Sequence, residues 1–106
     1  METKNKENFT SIINGNTPVL VDFTAEWCGP CKMMKPVLEQ LHRQMGDKVR
    51  ILKIDIDRSP AAAHTFAVQS VPTLILFQQG KLLWRQSGVV QAAYLQKIIE
   101  QHITHH

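Results

Sequence analysis

The sequence of 106 residues predicts an α/β protein, with one central mixed β-sheet and helices on both of its faces. Three observations lead to this class. Apolar segments rich in β-branched residues alternate with segments of helical periodicity. Two predicted strands are joined by a helix, which should give a right-handed parallel βαβ unit. The last two strands are joined by a short turn at Gln79 and Gly80, which predicts an antiparallel C-terminal hairpin.

The first half of the chain is predicted to place one buried strand between two helices. Residues 7–14 form the first helix, because their apolar side chains recur at helical spacing. Residues 19–23 are apolar without alternation, as expected for a strand covered on both faces. Residues 30–45 form an amphipathic helix, whose apolar positions are Cys31, Met34, Leu38, Leu41 and Met45.

The second half is predicted to hold a strand, a helix, a hairpin and a closing helix. Ser59 and Pro60 mark a helix start, since serine caps a first turn and proline fits its first position. The elements are a strand at 49–57, a helix from 59 to about 68, strands at 73–77 and 81–86, and a helix at 91–103.

Length and composition indicate a single globular domain spanning residues 1–106. Hydrophobic residues make up 43% and charged residues 20%, and a chain of this size can bury about two-thirds of its surface without a metal. No apolar run reaches the ~20 residues of a membrane span, and residues 1–8 lack the apolar core of a secretory signal. We therefore expect a cytoplasmic monomer that does not contact membranes.

The net charge of +3 raises the question of a nucleic-acid partner. Such a partner needs a basic patch or stripe on the protein. The twelve Lys and Arg residues are instead scattered, often beside acids, as at Asp47-Lys48 and Asp57-Arg58. We expect no nucleic-acid partner.

The two cysteines, Cys28 and Cys31, form a C-x-x-C where the buried strand leads into the helix. A secreted disulfide scaffold would carry more cysteines. Cys28 is predicted at the helix N-terminus, where free N–H groups and the helix dipole stabilise a thiolate, so we expect its pKa to be lowered. Cys31 begins the apolar stripe, and we expect its sulfur to be the more buried of the two. This unequal pair is suited to thiol–disulfide exchange.

Two other interpretations of the cysteines remain open at this point. A C-x-x-C can be half of a zinc site, but tetrahedral zinc needs four ligands, and there is no second C-x-x-C. The histidines are distant in sequence and lack a zinc-finger spacing; they are His42, His64, His102, His105 and His106. The cysteines could also be purely structural. A C-x-x-C near a βαβ pattern favours redox chemistry, without a metal.

The sequence resembles the thioredoxin family over most of its length. The resemblance rests on Val21-Asp22-Phe23, Ala25 to Lys32 with Trp27-Cys28-Gly29-Pro30-Cys31, Pro36, Lys53, Asp55, Asp57, Val71-Pro72-Thr73, Phe77, Gly80 and Gly88. It implies the thioredoxin fold and a protein-disulfide reductase that acts on disulfide-containing proteins and is re-reduced by a thioredoxin reductase. It makes Cys28 the nucleophile and Cys31 the resolving thiol, and it implies no cofactor beyond their disulfide.

The resemblance also assigns roles to two charged residues. Asp22 lies in the strand predicted to be buried, and buried carboxylates are usually partnered or functional. The alternative is an Asp at an exposed strand end. The resemblance favours a buried proton acceptor below Cys31, with Lys53 nearby. Without it, Lys53 would be an ordinary exposed strand residue.

A substrate surface around Cys28 is implied in the same way. The resemblance makes Val71–Pro72 a cis peptide that faces the disulfide, although cis bonds are uncommon before proline. The Val71 main chain would then pair with an extended substrate. Trp27, Val71, Pro72 and Gly88 would form a flat apolar surface, here called the substrate rim, although Trp27 could instead be a core residue.

Gly29 and Pro30, between the cysteines, complete the predicted substrate contacts. They place no cation beside the thiolate, which favours a reducing protein. There are two alternative functions: an oxidase or isomerase of the same fold, and a binding subunit of a larger complex.

The sequence departs from the family pattern at two places. Thr24 stands where the family usually has an aromatic residue, so we expect looser or wetter packing beside the cysteines. The N-terminal segment is short and polar, so we expect the usual first strand to be stunted.

Overall fold

The computed structural model describes residues 2–3 and 8–103, which contain five strands and four α-helices. The elements in chain order are β1 (Glu2–Thr3), α1 (Phe9–Ile13), β2 (Val19–Thr24), α2 (Gly29–Met45), β3 (Arg50–Asp55), α3 (Pro60–Thr65), β4 (Thr73–Gln78), β5 (Lys81–Ser87) and α4 (Ala92–His102). A short 3-10 turn, Gly46–Lys48, follows α2. No helix in these described ranges is long and apolar enough to cross a membrane.

The strands form one mixed sheet in the order β1-β3-β2-β4-β5. β2 and β3 are parallel and are connected through α2, whereas β4 is antiparallel to both β2 and β5. The predicted βαβ unit and C-terminal hairpin are therefore confirmed. In this register Asp22 on β2 is the partner of Lys53 on β3.

Helices cover both faces of the sheet and enclose a core cluster on each side. One cluster joins Leu20, Ile51, Leu74 and Leu76 of the sheet to the apolar faces of α2 and α4. The other joins the opposite faces of the same strands to α1 and the α3 region through a group of phenylalanine side chains, Phe9, Phe23, Phe66 and Phe77. Residues 19–24 are all buried because both sheet faces are covered.

Two predicted element ends are wrong by two or three residues. The strand predicted to end at Asp57 stops at Asp55, because the Asp55 carboxylate accepts the backbone N–H groups of Asp57 and Arg58 and turns the chain. The helix predicted to reach Val68 ends at Thr65. Ala67 has a φ of 51°, and the Arg85 guanidinium donates to the carbonyls of residues 66 and 67.

Candidate redox site

Cys28 and Cys31 form a disulfide at the N-terminus of α2. Cys28 is the N-cap residue, with extended backbone, and its Sγ accepts a hydrogen bond of 3.2 Å from the Cys31 backbone N–H. Pro30 stands in the first turn, where its missing N–H leaves no helix hydrogen bond unmade. The α2 N-terminus therefore directs an N–H donor at the Cys28 sulfur, where it would stabilise negative charge.

The two cysteines are almost equally buried as whole residues, so the expected difference between them is not seen at that level. Cys28 is 4% exposed and Cys31 is 5% exposed. Cys28 is covered because it packs in a small cluster with Ala25, Cys31, Ile56 and Val71. The two sulfurs differ in their surroundings instead, since the Cys28 Sγ lies 3.5 Å from the Val71 carbonyl oxygen and receives the helix N–H.

The segment around Pro72 is held beside Cys28 by main-chain and hydroxyl contacts. The Val71–Pro72 peptide is cis, and the Pro72 carbonyl accepts a hydrogen bond of 2.9 Å from the Gly88 N–H. Gly88 has a φ of 93°, a conformation that favours glycine. Val71 is half-buried, Gly88 is exposed, and Pro72 is buried rather than presented on an open surface.

Thr73 supports this segment and was not among the predicted site residues. Its buried Oγ1 donates to the Ser70 carbonyl at 2.7 Å and lies 2.9 Å from the Ser87 Oγ. The hydroxyl thus joins the loop before β4 to the end of β5. The only feature of the sequence that pointed to Thr73 was its position directly after Pro72. Nothing in the sequence pointed to Ser87.

Trp27 is a surface residue with a fixed ring. Its side chain is 69% exposed, so the alternative that placed it in the core is wrong. Its indole Nε1–H donates to the Asp57 Oδ2 at 2.9 Å, which holds an apolar ring at the surface next to Cys28. Gly29 and Pro30 are also exposed at the start of α2.

Asp22 is buried on the sheet face that α2 covers. It is 1% exposed, so the alternative of an exposed strand end is wrong. Burial raises the pKa of Asp22 to about 6, and the positive charge of Lys53 offsets part of that rise. The Asp22 Oδ1 has no hydrogen-bond partner among the described residues. Lys53, its partner in the β2–β3 register, is half-buried.

A cavity of about 510 Å³ adjoins the disulfide and is called the Cys31 cavity below. It is lined by Thr24, Ala25, Glu26, Cys31, Lys32, Lys35, Lys53, Ile54, Asp55, Arg58 and Ser59. Glu26 and Arg58 form an exposed ion pair of 2.9 Å at its edge. The open space beside Thr24 agrees with the looser packing expected there. Nothing in the sequence indicated that the α2 lysines would line a cavity.

The described residues contain no group of three or more His, Cys, Asp or Glu side chains placed to hold a metal. Among the five histidines, His105 and His106 lie outside the described residues. His102 is engaged locally, since its Nδ1 lies 2.8 Å from the Ile98 carbonyl oxygen.

Comparison with known proteins adds to this geometry. A sequence model of the family described as Thioredoxin matches residues 1–101. The thioredoxin of Chlamydia trachomatis is 47% identical over 102 residues, which cover 96% of this chain and 98% of that protein. The bifunctional thioredoxin reductase/thioredoxin of Mycobacterium leprae is 42% identical over 95 residues, 90% of this chain and 21% of that protein.

The fold has a solved counterpart of similar size. A mutant thioredoxin from Halobacterium salinarum superposes with a TM-score of 0.85 at 33% identity, covering 100% of this chain and 92% of that one. The family match includes both cysteines, and the structural match extends over the whole chain. The chain therefore belongs to the thioredoxin family of thiol–disulfide oxidoreductases, and Cys28 and Cys31 are its redox-active pair.

Proposed function

We propose that the chain reduces disulfides in other proteins by exchange with the Cys28–Cys31 pair, Cys28 acting first. The observation that carries this assignment is the hydrogen bond from the Cys31 N–H to the Cys28 Sγ at the start of α2. In the reduced protein this donor and the helix dipole favour a thiolate on Cys28 over one on Cys31. The thiolate is the nucleophile of disulfide exchange.

The reaction runs in two exchanges. The Cys28 thiolate attacks one sulfur of the substrate disulfide, and the other substrate sulfur leaves with the electron pair. Cys31 then gives its proton to a base and attacks the Cys28 sulfur of the mixed disulfide. The substrate's second sulfur leaves as a thiolate, so two electrons have passed to the substrate and the Cys28–Cys31 disulfide has formed.

Asp22 is the proposed base for the second exchange, and Lys53 is the proposed modulator of its acidity. A carboxyl group with a pKa of about 6 can both accept and release a proton near neutral pH. Asp22 has an unpartnered oxygen on the face beneath α2, the helix that carries Cys31. The positive charge of Lys53 lowers the pKa of Asp22 and keeps it within this range.

The proposed substrate contacts are Trp27, Val71 and Gly88 of the substrate rim, together with Gly29 and Pro30. The buried Pro72 supports this surface from below. The Val71 carbonyl, next to the Cys28 sulfur, can accept a main-chain hydrogen bond from an extended substrate segment. Trp27 offers an exposed apolar ring that Asp57 fixes in place. Main-chain pairing and one flat ring make few demands on substrate side chains, which suits a reductase of many proteins.

The electron donor that we propose is a thioredoxin reductase. The Mycobacterium leprae relative joins both activities in one chain, which supports this pairing. We also propose that the chain works as one domain and one monomer, without a cofactor beyond its disulfide. A dithiol reductant with only two cysteines suits a reducing compartment, and we propose the cytoplasm.

Turnover of insulin with dithiothreitol tests the proposed reductase activity. We expect the wild-type protein to accelerate precipitation of the insulin B chain, and Cys28→Ser to remove the acceleration, because the attacking thiolate is gone. Lys48→Gln, on the 3-10 turn after α2, is the matched control and keeps the wild-type rate. A Cys28→Ser protein that still accelerates precipitation would contradict the assignment. A double Cys→Ser variant that keeps a partner bound would favour the binding-subunit alternative.

Alkylation of the reduced protein tests the order of the two cysteines. We expect brief treatment with iodoacetamide at pH 7 to label Cys28 at least ten times faster than Cys31, because the α2 N-terminus favours the Cys28 thiolate. Peptide mapping by mass spectrometry locates the label. Faster labelling of Cys31 would reverse the two roles.

A further inference from the structure

The disulfide is bordered by two different environments. Cys28 contacts Val71, and its sulfur lies 3.5 Å from the Val71 carbonyl oxygen. The Cys31 cavity, in contrast, is lined by Cys31 and not by Cys28. A molecule in this cavity would therefore lie next to Cys31, and no residue of the substrate rim lines the cavity.

The Cys31 cavity has an excess of positive charge. Four of its lining side chains are cationic, and two are carboxylates. Both carboxylates are already engaged, since Glu26 pairs with Arg58 and the Asp55 Oδ1 accepts two backbone N–H groups. Three lysines, at positions 32, 35 and 53, remain to attract an anion. The charges of Asp55 and of an ionised Asp22 offset two of them and leave one net positive charge. The cavity therefore favours an anionic guest.

The residue at position 24 keeps the cavity open. Thr24 is buried at the end of β2 and lines the cavity together with Cys31. A Thr side chain has three heavy atoms, so it leaves space that a phenyl ring would occupy. At about 510 Å³ the cavity can hold a small organic molecule but not a folded protein substrate.

We propose that the Cys31 cavity binds small anionic thiols and that such a thiol reduces the disulfide by attacking Cys31. The thiolate of the small molecule forms a bond to the Cys31 sulfur, the Cys28–Cys31 bond breaks, and Cys28 leaves with the electron pair. A second molecule of the thiol attacks the sulfur of the first. Cys31 then leaves and takes up a proton, and the small molecule is released as its disulfide. Two thiols are oxidised, and one protein disulfide is reduced.

The leaving group explains why attack at Cys31 is favourable. Exchange is faster when the departing sulfur is the more stable thiolate. Cys28 departs into the hydrogen bond from the Cys31 N–H at the α2 N-terminus, so its charge is stabilised as it forms. The inference rests on the redox pair of the proposed function but does not require the substrate rim.

The test compares two reductants that differ in charge. Oxidised protein is mixed at low ionic strength with 2-mercaptoethanesulfonate or with neutral 2-mercaptoethanol, at equal thiolate concentrations. Reduction is followed by acid quenching and alkylation. We expect the sulfonate to react about three times faster, the effect of one net charge at ~7 Å in a water-accessible site, and this ratio of rates to approach one in 1 M salt.

Matched variants separate the cavity from the net charge of the protein. Thr24→Phe fills the cavity and should bring the ratio of the sulfonate rate to the mercaptoethanol rate close to one. Thr24→Ser leaves the cavity open and should keep the wild-type ratio. Lys35→Glu reverses one lining charge and should lower the ratio at least three-fold. Lys48→Glu makes the same change outside the cavity and should leave the ratio unchanged. If Thr24→Phe does not fold, the exposed Lys35 variant decides.

Peptide mapping of the quenched wild-type reaction identifies the attacked sulfur. Because the free Cys28 thiolate expels the bound thiol again, the mixed disulfide is a minor species, and the position of the trapped fraction decides. A trapped adduct that lies mainly on Cys31 supports the proposal. An adduct mainly on Cys28, a wild-type ratio of one, or an equal loss in the Lys35 and Lys48 variants would overturn it. Insulin turnover with dithiothreitol is measured on the same samples. If the protein reduces insulin but reacts equally fast with the two thiols, this inference is overturned and the proposed function stands.

Discussion

Cys31→Ser is expected to trap the protein in a covalent complex with its substrate. Cys28 can still attack a substrate disulfide, but the neighbouring thiol that releases the substrate is gone. In the native protein the two residues are held with their Cα atoms 5.3 Å apart, so the second exchange is intramolecular. Such placement is equivalent to an effective concentration on the order of 10⁵ M or more. External thiols at ~10 mM cannot replace it, so the lifetime of the mixed disulfide should rise by at least ~10³-fold.

Non-reducing electrophoresis and mass spectrometry of Cys31→Ser mixed with oxidised insulin would reveal the complex. We expect a one-to-one adduct through Cys28 that dithiothreitol removes. Cys28→Ser is the matched control, since it keeps one cysteine but lacks the one at the helix N-cap, and it should form no adduct. If Cys28→Ser accumulates the adduct and Cys31→Ser does not, the nucleophile and the resolving thiol must be exchanged.

Periodicity predicted the parts of the fold that depend on local sequence. The five apolar positions of the α2 stripe are the five buried residues of that helix, because a spacing of three and four residues defines one helix face. The unbroken apolar run of β2 predicted burial on both faces, and the sheet with its two helical layers confirms it.

The parts that depend on distant residues could not be predicted. β1 is only two residues long, as the short polar N-terminal segment predicted, but its pairing with β3, about 50 residues later, is not visible in the local sequence. The end of α3 is closed by Ala67, whose φ is 51° and whose N–H donates to the His64 carbonyl. Arg85 adds to this closure, since its guanidinium reaches back from β5 to the carbonyls of residues 66 and 67. The left-handed position holds Ala67 rather than a glycine, so nothing in the sequence indicated this helix end.

The site was predicted by its chemistry but not by its packing. The C-x-x-C at a strand-to-helix junction indicated the redox pair, because a helix N-terminus stabilises a thiolate and can be predicted from the local sequence. The burial of Cys28 was missed because part of it comes from distant residues, among them Val71, which lies 43 residues further along the chain. The Cys31 cavity was missed for the same reason, since β2, α2 and the segment after β3 each contribute to its walls.

Asp22→Asn is expected to make the protein more stable at neutral pH and slower in releasing its substrate. Burial raises the pKa of Asp22 from 3.8 to about 6, so the folded protein binds this proton more tightly than the unfolded chain does. The free energy of unfolding must then fall as pH rises from about 4 to about 6, and it stays at the lower value above that. A shift of this size corresponds to about 3 kcal/mol, which the Asn variant should largely recover at pH 7.

Lys53 does not reverse this expectation. Breaking a fully buried ion pair would be costly, because the remaining charge would lose its only partner. Lys53 is half-buried and lines the Cys31 cavity, so water can solvate its ammonium group when the Asp22 charge is removed. Desolvation of Asp22 is also the larger of the two effects on its pKa. The stability gained by removing the carboxylate should therefore exceed the loss of attraction to Lys53.

The kinetic consequence separates the two exchanges. Attack by Cys28 depends on the α2 N-terminus and should keep its wild-type rate in Asp22→Asn. Resolution by Cys31 loses the group that accepts its proton, which should slow this step about 10²-fold. The fast and slow phases of a stopped-flow reaction with a disulfide peptide measure the two steps on one sample.

Urea unfolding from pH 4 to pH 8 completes the test of Asp22. The wild-type protein should lose stability across pH 4–6, and Asp22→Asn should lack this loss. Asp47→Asn removes the same charge from the exposed 3-10 turn and should leave the pH profile and the resolution rate unchanged. Because burial and proton transfer act on the same carboxylate, both effects must appear together. An Asn variant that is less stable at pH 7 and resolves at the wild-type rate would make Asp22 a structural residue only.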